Sequence, residues 1–307
     1  MNKSVLLDKF IYCIIKYGKI QNFVISNRTN KIDNLRKFHN FIKLQLILKS
    51  CKETNAKNLL DIACGRGGDL QKWLNNNIDL KYILAFDSHK DSIYSSIKKG
   101  DSFDGAIARF QNLKQNYRGK MPFINFKNLD ILDSDILSKI NYIDSNKKYD
   151  VVSCQFALHY FCENDFMLNS VLNIISTKLR KGGLFIGTAT DGDLINNILK
   201  NGDVDIPLLK LIKRESNNYL FYIQTENTTE LTRQNYFELQ GVSSEFYIFK
   251  EKLKNIALKN KLELIEFKSF YEWYQEYKNN NKSKFNEMSV YEILISFLNF
   301  SFIFKKI

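Results

Sequence analysis

Apolar and polar positions follow two regimes along this chain. Before residue 58 they recur at helical spacing. Residues 4–17 (SVLLDKFIYCIIKY) read as a short amphipathic helix and residues 18–29 as an irregular polar arm. Over 34–50, Leu35, Phe38, Ile42 and Leu46 make one apolar helical stripe. On the opposite stripe Arg36, Asn40 and Lys43 lie at i, i+4 and i+7, so they share a face. From Asn58 the pattern changes to short apolar runs alternating with helical stretches. Residues 58–64, 81–87, 123–130, 149–156 and 183–190 are five predicted strands, separated by predicted helices around 69–77, 90–99, 104–116, 132–140 and 165–180. Such alternation predicts an α/β fold with a doubly wound, mostly parallel sheet and crossover helices.

After Thr190 the regularity weakens. Residues 191–202 read as a helix, LFYIQTE (220–226) and NYFELQG (235–241) as two antiparallel strands, and 245–260 as a segment running into a helix. A strand over 261–270, a helix over 271–281 with an Asn/Lys loop near 278–284, and a closing strand over 296–306 complete the chain. No repeat is visible. The expected organisation is one domain, 1–307, with a basic arm over 1–33 and an inserted α+β lid at about 191–240.

Composition narrows the class. The chain has 307 residues, a formal charge of +12 and 44% apolar content, without an 18-residue uncharged run, so no membrane span is expected. The first residues lack a signal-peptide plan. Cys13, Cys51, Cys64, Cys154 and Cys162 form no CxxC pair, which argues against a disulfide framework or a zinc ribbon and for a reducing, intracellular setting. The first sixty residues hold twelve Lys/Arg against three acids. A field of that sign attracts polyphosphate or nucleic acid, unless it is simply the solvated face of a Lys- and Asn-rich chain.

Candidate chemistry begins at LLDIACGRGGDL (59–70). A buried strand carrying Asp61 runs into the turn Gly65-Arg66-Gly67-Gly68, where glycines let the backbone bend sharply and a ligand approach closely. Such a turn serves nicotinamide, flavin and S-adenosylmethionine enzymes alike. The second strand ends in Asp87, 22 residues after Gly65, placed to accept both hydroxyls of a ribose or, alternatively, to cap the next helix. The third ends in Asp130 and the fourth in Gln155, so polar side chains converge on one crevice above the carboxyl edge of the sheet. Asp87 on a ribose, Asp130 on an adenine amino group and the glycine turn beside an amino-acid tail would hold an adenosine. Neither GxGxxG nor GxxxxGK[ST] is present, which favours a methyl donor over a dinucleotide or ATP.

These residues carry a resemblance. FHNFIKLQLI (38–47), LLDIACGRGGDLQKW (59–73), AFD (85–87), ARFQNLK (108–114), VVSCQFALHYFCE (151–163), GGLFIGTATDGDLI (182–195) and ELQGVSSEFYIF (238–249) resemble, in that order, the mRNA cap guanine-N7 methyltransferases, from about Asn34 to the end of the chain. The resemblance implies a Rossmann-like class I methyltransferase sheet with one antiparallel C-terminal strand. It implies S-adenosylmethionine as methyl donor, no metal, and the capped 5′ end of mRNA (GpppN-RNA) as substrate. It leaves room for a capping-enzyme or stimulatory subunit. Location would be nuclear in a cell, or the host cytoplasm (virus factory or virion) for a virus. Lys43, Asp61, Gly65, Asp87, Asp130, Gln155 and Tyr160 resemble the donor contacts. Asn40, His159 and Glu245 resemble the residues around the cap guanine, and Arg66 and Arg109 the basic contacts to its phosphates. On the sequence alone the lesser alternatives are a partly buried core histidine for His159 and a surface acid for Glu245, while Tyr160, Phe156 and Phe161 are as readily core aromatics as ligand contacts.

Two departures stand out. Many members pack a tyrosine near the C-terminus on the cap, where this chain has Asn299-Phe300. The cellular branch usually reads TTPN after the fifth strand, whereas Thr188-Ala189-Thr190-Asp191-Gly192 is more like the large DNA viruses, and an extremely reduced eukaryotic parasite would look similar. The implied reaction explains why no Ser-His-Asp or Cys-His set is needed. Guanine N7 attacks with a lone pair that carries no proton, so no general base is required. Orientation by the pocket and the electrostatics of Glu245, His159 and Tyr160 would do the work.

Overall fold

The computed structural model describes residues 32–200, 202–206, 208–215, 217–223, 243–280 and 288–307. The expected helix over 4–17, the arm over 18–29, the strand over 235–241 and most of the Asn/Lys loop fall outside them.

Five parallel strands, β1 (Asn58–Ile62), β2 (Tyr82–Asp87), β3 (Phe123–Asn128), β4 (Tyr149–Gln155) and β5 (Leu179–Thr190), form most of a seven-stranded sheet. With β10 (Leu262–Ser269) and β11 (Asn299–Lys306) its order is β10-β11-β5-β4-β1-β2-β3, and β11 runs antiparallel to both its neighbours. The single reversed strand near one edge agrees with the expected class.

Alternation along the strands splits the core. Leu60, Ile62, Val152 and Phe185 face α5 (Ile136–Asp144), α6 (Asp165–Lys178) and α8 (Lys250–Lys259). Leu59, Val151, Leu184 and Ile186 face α1 (Asp33–Glu53), α2 (Leu70–Trp73), α3 (Lys90–Tyr94) and α9 (Phe270–Asn280). α4 (Ala106–Asn116) flanks α3. Where β5 passes between β4 and β11, a Cβ at Gly187 would lie 2.4 Å from the Phe302 ring and against the Cys154 carbonyl. Gly187→Ala should therefore lower unfolding stability by about 1–3 kcal/mol through overpacking, checked by denaturant titration.

A second sheet, β6 (Val204–Ile206), β7 (Leu209–Lys213), β8 (Asn218–Ile223) and β9 (Ser243–Phe246), is antiparallel throughout. It packs with α7 (Gly192–Leu199), α10 (Val290–Phe297) and the start of α1, through Leu35, Ile195, Leu211, Tyr219 and Leu294. No described helix is long and apolar enough to cross a membrane.

Several boundaries differ from the sequence expectation. β3 stops at Asn128 because Asp130 Oδ1 accepts the Leu132 N–H at 2.9 Å and opens a turn. The helix over 69–77 shrinks to the four residues of α2, and that over 90–99 to α3 plus a short 3₁₀ turn, Ile97–Lys99. β6, β7 and α10 were unexpected. α10 carries a full capping box between Ser289 and Glu292, and its Ser-x-x-Glu spacing just before an apolar run was a readable signal. The closing strand accordingly starts at Asn299, not at 296. The segment over 245–260 begins as strand β9 and becomes helical only at Lys250.

Candidate active site

The turn after β1 is held in the left-handed region, with Ala63, Gly65 and Gly67 at φ +56°, +53° and +72°. For the two glycines this costs nothing sterically. The Gly65 N–H donates to Asp87 Oδ2 at 2.9 Å, and the His89 N–H to Asp87 Oδ1 at 2.8 Å. Asp87 thus braces the turn with a half-buried carboxylate. It does not cap a helix, since α3 begins at Lys90 after His89. The Asn128 amide donates to the Asp87 and Ser88 carbonyls and fastens the ends of β2 and β3. Gln155, at the end of β4, accepts from the Thr188 hydroxyl through Oε1 (3.1 Å) and donates to Ser153 Oγ (3.2 Å).

Beneath the turn lies a charged cluster. Asp69 takes Lys43 Nζ at 2.8 Å and Lys72 Nζ at 2.7 Å. Burial alone would raise the Asp69 carboxyl, but the two ammonium groups more than offset it and hold it at about 2. Asp61 is buried on β1. Burial, then the Asp69 charge, push its carboxyl well above the ordinary range, against the pull of Ser153 and Lys43. Its Oδ1 has no hydrogen-bond partner.

The third group forms where β4 and β5 end beside the second sheet. His159 sits on a 3₁₀ turn, Leu158–Phe161, and Glu245 on β9; neither exposes any surface. Tyr219 lies directly opposite Glu245 in the β8–β9 register. Its hydroxyl is 2.8 Å from both Glu245 Oε2 and Thr190 Oγ1, so it donates to the carboxylate and accepts from the threonine. Burial raises Glu245 to about 7 despite those hydroxyls, and burial drops His159 to about 3. The His159 Nε2 to Glu245 Oε1 separation is 3.7 Å, so a neutral imidazole faces the carboxyl without a hydrogen bond or an ion pair. His159 Nδ1, His159 Nε2 and Glu245 Oε1 are all buried and unpartnered. Native proteins rarely leave three such atoms together without a ligand or water to satisfy them. The Tyr160 ring stands edge-on to His159, with centroids 4.2 Å apart, and its hydroxyl bonds Ser243 Oγ at 3.0 Å. Burial, then the Glu245 charge, raise that hydroxyl, with a smaller contribution from Asp87, so Tyr160 lies between the two halves of the site.

The remaining expected residues gather elsewhere. Asn40 accepts from Lys72 Nζ at 2.8 Å, Arg109 donates to the Arg66 carbonyl at 3.0 Å, and Arg66 lies over the Phe103 ring. Lys72 also donates to the Gly68 carbonyl, so these contacts gather Asn40 and Arg109 about the glycine turn that contains Arg66. The Asn40 neighbour His39 is buried on the inner face of α1. It is stacked on Phe156, with Nε2 3.0 Å from Ser296 Oγ. Asn299 bonds the Ile295 and Ser296 carbonyls and Phe300 is buried in the sheet, so both are engaged in the fold. Sequence reasoning missed His39, Tyr219, Thr190, Ser153 and the Asp69–Lys72 pair. Of these only the pair had a local signal, its i, i+3 charge spacing.

Comparison with known proteins adds four findings. A family model described as the mRNA (guanine-N(7))-methyltransferase domain matches residues 13–291. The "Probable mRNA-capping enzyme" of Acanthamoeba polyphaga mimivirus is 28% identical over 303 residues, covering 91% of this chain and 25% of that protein. The "mRNA cap guanine-N(7) methyltransferase" of Caenorhabditis briggsae is 32% identical over 193 residues, 61% of this chain and 47% of the relative. The chain therefore spans less than half the length of these two relatives. A crystal structure of an S-adenosylmethionine-dependent methyltransferase from Clostridium acetobutylicum ATCC 824 superimposes with TM-score 0.51 at 15% identity, covering 98% of both chains, which shows the shared fold.

Proposed function

Because this chain belongs to the mRNA (guanine-N7)-methyltransferase family, we propose that it moves a methyl group from S-adenosylmethionine to N7 of the guanine that caps GpppRNA. The observation that carries the proposal is the cluster of buried, unpartnered atoms at His159 and Glu245. A guanine offers N1–H and N2–H₂ donors to Glu245 and polar edges to His159, which would satisfy what the fold leaves open. Adenine lacks those donors and would leave the carboxylate unpaired, at a cost of several kcal/mol by the order of magnitude for a buried charge.

The donor end fits as well. The free Oδ1 of Asp61 suits an ammonium group. The Asp87 carboxylate, already oriented by Gly65 and His89, suits a ribose diol. In this reading Lys43, Asp61 and Gly65 line the amino-acid end, Asp130 and Gln155 the base and sulfonium end, and Tyr160 the boundary between donor and acceptor. When bound, S-adenosylmethionine supplies an electrophilic methyl on a cationic sulfur. The chain's own residues orient, exclude water and bias charge. An ionised Glu245 favours the positive charge that the guanine gains, and neutral His159 adds no opposing one. With no proton to remove, alignment itself can supply up to roughly 7–11 kcal/mol of the barrier reduction.

Incubating GpppRNA with methyl-labelled donor, digesting with nuclease and identifying the labelled nucleoside tests this. Label in 7-methylguanosine is expected. Label in another nucleoside, or in none, overturns the reading.

A further inference from the structure

A second cleft opens on the far side of the glycine turn. It encloses about 830 Å³, within the roughly 300–1,000 Å³ typical of ligand sites, with Gly67 and Gly68 in its wall. Arg109 from α4 and Lys37 from α1 supply its free positive charge. Among the described residues neither pairs with an acid, and no acid lines the cleft. Lys72 is also in the wall, but its charge is largely used by buried Asp69. One side is aromatic: half-buried Phe41, backed by Tyr277 with ring centroids 5.0 Å apart. The amides of Asn40 and Asn112 add donors and acceptors at the rim.

Basic groups that follow a phosphate chain, a flat apolar wall for bases and amides without a fixed pattern are the requirements for binding single-stranded nucleic acid without reading its sequence. The cleft is also coupled to the candidate active site by covalent neighbours. Gly67 and Gly68 in its wall follow Gly65, whose N–H donates to Asp87 at the donor end. A Cβ built at Gly68 would stand 3.9 Å from Lys43 Nζ.

We propose that this cleft is the track for the first nucleotides of the transcript beyond the cap, held as unpaired RNA by Lys37, Arg109 and the Phe41 wall. The proposal rests on the capped-RNA reading above and adds to it the path of the strand. It makes activity depend on RNA length.

The test compares two substrates, the dinucleotide GpppG and a capped unstructured 20-mer, on the whole protein. Lys37→Glu and Lys37→Ala are the variants, because Lys37 is exposed and outside the pockets assigned to donor and guanine. Each should raise KM for the 20-mer by roughly 5- to 10-fold and leave KM for GpppG and the melting temperature unchanged. The slope of log KM against log salt for the 20-mer should flatten by about 0.7 for each phosphate no longer neutralised. A KM increase of equal size on GpppG would place the cap's own triphosphate in the cleft and overturn the track. No change on either substrate would overturn it too. Absence of methylation of both substrates by the unaltered protein would instead strike the function proposed above.

Discussion

Glu245→Gln lowers turnover on GpppRNA by about 10²- to 10³-fold while donor affinity changes less than about 3-fold. The size follows from what removing one preorganised electrostatic group costs in other active sites. Glutamine keeps the shape and the Tyr219 contact at one atom but turns an unpartnered buried acceptor into either a neutral oxygen or an amide donor. In the first case the developing positive charge loses its counter-charge; in the second the guanine donors meet a donor. A pH signature accompanies it. With the Glu245 carboxyl raised by burial to about 7, kcat/KM in the unaltered protein should rise with pH through that value and level off above it. The glutamine variant should lose that limb.

Stability moves the other way. The unfolded chain releases this proton near 4.5 and the folded one near 7, so the native state binds more protons between those values. Stability contributed by the site is fully present below the unfolded value and falls as pH rises, until at pH 8 the buried charge costs on the order of 3 kcal/mol. Glutamine should therefore raise the melting temperature at pH 8 and change it little at pH 4. Equal losses of turnover and donor affinity, or a pH limb that survives in the variant, would remove Glu245 from its assigned role.

The parts of the site legible in the sequence were those carried by local backbone geometry. A strand, a glycine turn and an acid at the next strand end follow from chain spacing alone, and Gly65, Asp87 and Gln155 stand at the carboxyl edge as the pattern required. The parts that depend on register were not legible. Tyr219 reaches Glu245 only because β8 and β9 pair with those two residues opposite, and nothing within either segment specifies that alignment. The α1 face shows what spacing leaves open. Arg36, Asn40 and Lys43 share a stripe, yet one residue is about 100° on a helix, and His39 turns inward to Phe156 while Asn40 turns to Lys72. Helical spacing fixes relative positions and leaves the absolute rotation to packing, here of Phe38 and Ile42 against the sheet. β6 and β7 escaped for a different reason: runs of three and five residues are too short for periodicity to separate them from loops.

Asp87→Ala should weaken S-adenosylmethionine binding by about 100-fold or more and leave cap-analogue binding unchanged, measured calorimetrically with each ligand alone. Hydrogen bonds to a charged group contribute about 1.5–3 kcal/mol each, and a ribose diol offers two. The alanine variant also cuts the Gly65 N–H loose, so part of its loss would come from a slacker turn and not from the ribose. Asp87→Asn separates the two contributions, because its amide oxygen can still accept from Gly65 while the negative charge is gone. If the diol contact dominates, asparagine should recover only a minor part of the affinity. Near-complete recovery would mean that Asp87 chiefly braces the turn. Equal weakening of donor and cap analogue would mean that the carboxyl edge of β2 does not serve one ligand, and the division of the crevice between donor and guanine would have to be redrawn.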